Sequence, residues 1–366
     1  MQHVHWQRGK EAEMLLEGVF AAIPTPFQPD GRPHWHHLER SVERYCRAPL
    51  AGLVVLGSTG EAVMLNDEET HEALRAARGA AADDRILIAG VGHESLGETL
   101  KRIDHAASLD YDLALVRTPH FYRPQMRPAE LLNYYRMVAD ASALPVLLYS
   151  IPAYTAYELP VDVIGELSGH ANICGIKDSG GKPERIAAIV AATASAPRRN
   201  VAVTATFTAV TGRMLNTQAE AAGLAASLMP ADALMGGVGY AAPPPPAFKT
   251  RMREVGFQVL GGSAQTLLPS LTVGGTGGVL AMASFAPQAC AEIYMAWKDR
   301  DANLAEEKQQ RILSAADIIC GRMGIPGVKY ACDLNGYYGG SPRLPLLPLN
   351  AAERVEVEHS LHSIRQ

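Results

Sequence analysis

The chain has 366 residues, 48% of them hydrophobic and 19% charged, with 33 Lys and Arg against 38 Asp and Glu for a formal net charge of −5. That length can bury a large core, as one α/β barrel or two smaller domains. The near balance of charge, with no Lys/Arg block and no basic stripe interleaved with aromatics, argues against nucleic acid and anionic membrane and for a small-molecule partner. Cys46, Cys174, Cys290, Cys320 and Cys332 are odd in number and never spaced as CxxC, so a disulfide framework and a zinc ribbon are both poor fits.

In chain order, the opening "MQHVHWQRGKEAEMLLEG" has no apolar h-region, and its glutamates spoil a transit peptide. No run approaches the roughly 18 apolar residues of a membrane helix, so a cytoplasmic protein with buried, reduced thiols is expected. Short apolar runs bounded by Gly, Pro or Asp then follow in series: "VFAAIPT" from Val19, "GLVVLG" from Gly52, "RILIAGVG" from Arg85, "LALVRTP" from Leu113, "PVLLYSIP" from Pro145 and "ICGIKD" from Ile173. Two more, "FQVLGG" from Phe257 and "GGVLAM" from Gly277, complete the set. Between them, stretches such as "LERSVERYC" and "DEETHEALRAARGAA" repeat apolar residues at helical spacing. Continuous apolar strands alternating with amphipathic helices mean a parallel sheet clothed in helices, and eight units favour a (β/α)8 barrel over an open doubly wound sheet.

The first six strands start about 28 to 34 residues apart, the length of a βα repeat. The seventh starts more than twice that distance after the sixth, so a long insertion, about residues 195–250, is expected between them. It is rich in small residues and contains "PPPP" at 243–246. It reads as a surface excursion or subunit contact, or alternatively as a lid over the barrel mouth. Residues 1–17 form an N-terminal extension, 18–285 the barrel, and 286–366 a C-terminal helical region.

Residues at the C-terminal ends of barrel strands face an active site, and Lys177 closes the sixth strand. It either snorkels to the rim or pairs with Asp178, or it is a Schiff-base nucleophile. At an ordinary pKa of ~10.4 about one lysine in 2,500 is neutral at pH 7, so the second use calls for desolvation. "GSTGE", Gly57 to Glu61, has the form of a capping box in which Ser58 caps a helix and Glu61 returns to the Ser58 amide. The same turn, with its amides and two hydroxyls, also suits a substrate carboxylate. Tyr149, ending the fifth strand, is either amphipathic packing or a proton shuttle beside the lysine. The glycines at 261–262 and in "GGTGG", 274–278, match neither GxGxxG nor a P-loop and leave backbone room for a small ligand. His34, His36 and His37 lack the i, i+4 spacing of a helical zinc pair, so no metal is expected.

Taken together and in order, "IPTPF…DG", "GSTGE", "TPHFYRP", "LYSIP", "GIKDSGG" and "GIPGVK" resemble the dihydrodipicolinate synthase/N-acetylneuraminate lyase family of class I, pyruvate-handling aldolases, from about Gly18 to Leu347 apart from the insertion. Within it, "LYSIPAYT…ELP", "GIKDSGG" and the tail from "GIPGVK" are most similar to 4-hydroxy-2-oxoglutarate aldolase. The resemblance implies a TIM barrel, a homo-oligomer (tetramer or dimer), and no cofactor beyond a covalent lysine imine. By the same resemblance Lys177 forms the imine and Tyr149 relays protons. Ser58 and Thr59, beside Gly57, hold the pyruvyl carboxylate and assist the relay, Val279 lines the pocket, and Ser179 borders the substrate. Two positions depart from the pattern. Tyr154 stands where dihydrodipicolinate-forming members carry an arginine for a second carboxylate, and Phe121 stands where a neighbouring subunit often lends a tyrosine. The implied reaction is cleavage of a 4-hydroxy-2-oxo acid, 4-hydroxy-2-oxoglutarate above others, to pyruvate and an aldehyde, glyoxylate. The alternatives are a 2-keto-3-deoxy sugar-acid aldolase or dehydratase, a dihydrodipicolinate synthase-like condensing enzyme, and a non-catalytic pyruvate binder.

Overall fold

A computed structural model of the chain describes residues 14–206, 208–227 and 249–365; the first thirteen residues and the "PPPP" run lie outside the described residues. Eight parallel strands close into a barrel: β1 (Gly18–Ala22), β2 (Gly52–Val55), β3 (Ile86–Gly90), β4 (Leu113–Arg117), β5 (Val146–Ser150), β6 (Ile173–Asp178), β9 (Gln258–Gly261) and β10 (Gly277–Leu280). Each begins within one residue of the apolar run that announces it, and β10 pairs back onto β1 with Phe20 opposite Val279. This is the expected (β/α)8 barrel.

The strand sequences are apolar on both faces because both faces are covered. Phe20, Val54, Ile88, Leu115, Leu147 and Leu260 fill the barrel interior, while the intervening Leu53, Val55, Leu87, Val116 and Leu148 pack outward. The outer layer meets Val42 of α1 (Trp35–Cys46), Leu74 of α2 (Asp67–Ala80), Ile103 of α3 (Leu96–Ser108) and Val138 of α4 (Pro128–Ala141). Each such side chain, fully buried, contributes about 1.5–3 kcal/mol. α5 (Pro152–Thr155) is a single turn directly after β5, and α6 (Val161–Leu167), α7 (Pro183–Ala192) and α9 (Leu267–Thr272) continue the ring. After β10, α10 (Pro287–Lys298) lies against β1 and leads to α11 (Ala302–Ala315), a π-helical turn at 316–322, α12 (Gly324–Leu334) and α13 (Ala351–Arg365).

The insertion is an antiparallel hairpin, β7 (Arg199–Thr204) with β8 (Thr250–Val255), from which α8 (Gly212–Ser227) branches. Its anchors identify the end of the barrel it covers. Arg213 donates to the carbonyl of Asp110 at 2.6 Å and pairs with the Asp112 carboxylate at 2.9 Å. Thr217 donates to Asp83 at 2.7 Å, and Arg199 donates to the His170 carbonyl at 2.8 Å. All of these acceptors precede β3, β4 or β6, so they mark the N-terminal end of the barrel. There Leu15 packs with Val201, Val203 and Val255, and Met14 and Leu16 close the barrel interior from below. The described part of the excursion therefore caps the base, at the end opposite the mouth, so for these residues the lid reading is corrected.

Candidate active site

Lys177 owes its direction to a bulge. Val146 of β5 faces Ile173, but the next residue, Leu147, faces Gly175, so Cys174 is an extra residue in β6. Cys174 packs inside the barrel and Ile176 outside it. Uninterrupted alternation from Cys174 would turn Ile176 inward and Lys177 out among the helices. The added residue resets the parity and aims Lys177 into the barrel. Gly175 is required there by close approach, since a Cβ would lie 2.2 Å from the Gln258 carbonyl oxygen.

Lys177 and Tyr149 are register partners across β5 and β6, only 3% and 4% exposed, with the lysine Nζ 4.2 Å from the centre of the tyrosine ring. The expected alternative partner is engaged elsewhere. Asp178 accepts from the Arg185 Nε at 2.8 Å and from the Gly180 amide at 3.0 Å, so the Lys177–Asp178 pairing is not formed. The Tyr149 hydroxyl meets Ser58 Oγ at 2.9 Å. Three polar groups from β5, β6 and the turn after β2 thus converge at the barrel mouth.

The turn holding Ser58 is not a helix cap. Gly60 N–H donates to the Gly57 carbonyl at 3.0 Å and Glu61 N–H to that of Ser58 at 3.1 Å, after which comes only a 3-10 turn at Ala62–Met64. Glu61 adopts a left-handed conformation, φ 53°, and its carboxylate accepts from buried Lys329 and from the Arg343 amide instead of returning to Ser58. The capping box expected at Ser58/Glu61 is formed one step later, where Asn66 accepts from the Glu69 amide at 2.8 Å and Glu69 accepts from that of Asn66 at 3.0 Å. Among the described residues, the amides of Ser58 and Thr59 donate to no protein acceptor, which leaves two adjacent N–H groups for an anion. Thr59 and Gly57 are buried in the same turn.

Val279 lies on β10 inside the barrel, and Ser179 follows Lys177, its amide donating to the Ser150 carbonyl at 2.9 Å. A Cβ on Gly262 would lie 2.0 Å from Ser179 Oγ, while Gly261, Gly277 and Gly278 are paired strand residues. At Gly262, Gly277 and Gly278 the missing Cβ serves close packing of the wall. Tyr154, in α5, is 60% exposed; its phenol pKa is raised by burial of the hydroxyl end first, then by Tyr149 and Cys320. Phe121 is 75% exposed and stacks edge-on with Tyr122 at 5.1 Å. Their loop is tied by Glu94, which accepts from the His120 amide at 2.8 Å, the Phe121 amide at 3.0 Å and Arg117 at 2.9 Å. His37 stacks on Tyr338 at 3.8 Å, and among the described residues no group of three His, Cys, Asp or Glu is placed to hold a metal. Nor, among them, is any helix long and apolar enough to cross a membrane.

The Lys329–Glu61 pair, the Glu94 tie and the Cys174 bulge escape sequence reasoning. The only local signal was a charged residue or a glycine set in apolar surroundings, as in "GIPGVKYAC" and "ICGIKD".

Comparison with known proteins agrees with this fold. A 4-hydroxy-tetrahydrodipicolinate synthase of Xanthomonas axonopodis pv. citri is 41% identical over 178 residues, 49% of this chain and 58% of that protein. Another, of Methanothrix thermoacetophila, is 28% identical over 347 residues, 95% of this chain and 96% of the relative. The crystal structure of a chloride-inhibited dihydrodipicolinate synthase from Acinetobacter baumannii, complexed with pyruvate, matches with a TM-score of 0.74 at 25% identity, covering 96% of this chain and 99% of that one. These relatives carry the synthase name rather than that of the 4-hydroxy-2-oxoglutarate aldolase. The model of the Dihydrodipicolinate synthetase family matches residues 15–198 and 248–364, passing over β7 and α8, and the chain belongs to that family.

Proposed function

We propose that the protein is a Schiff-base-forming class I lyase that cleaves a 4-hydroxy-2-oxo acid, best 4-hydroxy-2-oxoglutarate, to pyruvate and glyoxylate. The observation that carries this reading is the buried triangle of Lys177 Nζ over the Tyr149 ring, with the Tyr149 hydroxyl on Ser58 Oγ at 2.9 Å. A nucleophilic amine and a hydroxyl relay within reach of each other are what imine formation needs.

In this mechanism the Ser58 and Thr59 amides hold the substrate carboxylate and present the 2-keto carbon to Lys177. Neutral Nζ adds to that carbon, and Tyr149, through Ser58, moves a proton from nitrogen to oxygen to give the carbinolamine. Protonation of its hydroxyl by Tyr149 expels water and leaves an iminium. The Tyr149 phenolate takes the C4 hydroxyl proton and the C3–C4 bond breaks, its electron pair passing into the iminium to form an enamine while the aldehyde departs. Protonation at C3 and addition of water release pyruvate and restore the amine. The pyruvate in the Acinetobacter structure supports this 2-oxo acid. Tyr154, a phenol in place of a guanidinium clamp, disfavours aspartate semialdehyde as the acceptor.

The names of the relatives favour a second reading, condensation by a dihydrodipicolinate synthase-like route on the same imine. The Phe121–Tyr122 aromatic pair at the surface suits a homo-oligomer, and a cytoplasmic setting is retained. The test is incubation with pyruvate and sodium borohydride, followed by peptide mapping. A reduced pyruvyl adduct on Lys177 is expected. An adduct on exposed Lys182, or none, overturns the imine. A panel of 4-hydroxy-2-oxoglutarate, 2-keto-3-deoxy sugar acids, and pyruvate with aspartate semialdehyde then separates aldolase from synthase; faster turnover of the last would reverse the proposed specificity.

A further inference from the structure

The barrel mouth holds a second buried lysine that the mechanism does not use. Lys329 in α12 and Glu61 are both about 1% exposed at their side chains and form an ion pair. The lysine Nζ also donates to the Thr25 carbonyl at 2.8 Å and lies 4.5 Å from the centre of the Phe27 ring. Thr25 Oγ1 in turn donates to the Gly60 carbonyl at 2.7 Å, and the Arg343 amide donates to the second Glu61 oxygen at 2.8 Å. Three segments distant in sequence, the loop after β1, the Gly57–Glu61 turn and the C-terminal tail, are therefore fastened at one point. That point is three residues from Ser58. The left-handed backbone of Glu61 is a conformation that side-chain-bearing residues hold only where their surroundings impose it, and here the side chain has two fixed donors, Lys329 and the Arg343 amide, to impose it.

We infer that Glu61 and Lys329 are positioning residues: their pair locks the turn so that Ser58 Oγ meets Tyr149 and the Ser58 and Thr59 amides face the 2-oxo acid. The catalytic lysine sits on another strand and does not depend on this lock. Loosening it should therefore weaken carboxylate binding more than it slows imine chemistry at saturation. Lys329 itself is too enclosed to act as a nucleophile. This inference rests on the imine reading above, and the wild-type control separates the two.

Removing one partner leaves a buried charge alone and threatens folding, so the informative variant of the full chain is the double Glu61→Ala/Lys329→Met, which removes both charges together. Pyruvate affinity is read from the concentration dependence of borohydride trapping at Lys177, alongside KM and kcat for cleavage and the far-UV circular dichroism. The half-saturating pyruvate concentration and KM should rise at least tenfold, while trapping at saturating pyruvate falls less than threefold. Glu61→Gln/Lys329→Met, which still accepts the Arg343 amide but lacks the pair, should leave KM raised; recovery to within threefold of wild type would overturn the role of the pair. An unchanged KM in a folded double variant overturns the inference, as does loss of the barrel's circular dichroism, because the pair would then hold the fold rather than the turn. If the wild type itself traps no pyruvate, the imine reading falls and this inference falls with it.

Discussion

Ser58 Oγ and the Tyr149 hydroxyl lie 2.9 Å apart although 91 residues separate them. One sits in a turn after β2 and the other ends β5, so the bond spans the barrel mouth and joins the two groups of the proposed proton relay.

If they form one relay, their losses should not add. Tyr149→Phe keeps the ring beneath Lys177 and removes only the hydroxyl, and it should lower kcat by about 10²–10⁴. Ser58→Ala should lower it by a smaller factor. The double variant should be no slower than Tyr149→Phe alone, because residues acting as a unit are non-additive. Steady-state kinetics of the three variants decide this, and multiplicative losses would mean two separate roles.

The bulge at Cys174 makes Gly175 a control point for Lys177. Gly175→Ala places a methyl 2.2 Å from the Gln258 carbonyl, so β6 must move away from β9. Overpacking of this kind costs about 1–3 kcal/mol and displaces the lysine two residues further along β6. Urea denaturation should show the loss and borohydride trapping should slow by at least tenfold. Normal trapping in a destabilised variant would show that the lysine's aim does not depend on this glycine.

At the other end of the barrel, Arg213 and Asp112 form a buried pair that fastens α8, and burial, offset only in part by Arg213, holds the Asp112 pKa above its ordinary value. Arg213→Ala strands that carboxylate and should cost about 3–5 kcal/mol. Because the base is remote from Lys177, kcat measured on folded protein should stay within twofold. A large fall in kcat there would mean that the excursion reaches the site.

Glu94 supplies the pH dependence of the Phe121 loop. Burial pushes its pKa up, but the Phe121 and His120 amides and Arg117 pull it down further, so the folded value lies below the ordinary one. A carboxyl so depressed stabilises the fold fully above its unfolded pKa of about 4.3, and that contribution fades as pH falls through the folded value. The Tm difference between wild type and Glu94→Gln should therefore be largest near neutral pH and shrink in acid. Thermal melts from pH 7 to 3 test this; a constant difference would remove Glu94 from the account.

Strand and helix order were legible because they rest on short-range signals. The apolar runs from Val19 to Gly277 fix the eight strands, and the place of Lys177 and Tyr149 at strand ends follows from counting. The candidate site was legible only as a set of positions. Sequence spacing treated Ser58 and Glu61 as a local capping pair, whereas Glu61 is claimed by Lys329, 268 residues away. The insertion was visible as a break in spacing, but nothing in its composition said that Arg213 would find Asp112 at the base.

The sequence by itself determined the parallel barrel and the presence of an amine and a phenol at neighbouring strand ends, since hydrophobic periodicity and element length are properties of nearby residues. Tertiary structure alone decided which way those groups face. One extra residue in β6 inverts the parity on which any sequence reading of side-chain direction depends, and the ion pair holding the Ser58 turn is a contact between segments that only the closed barrel brings together.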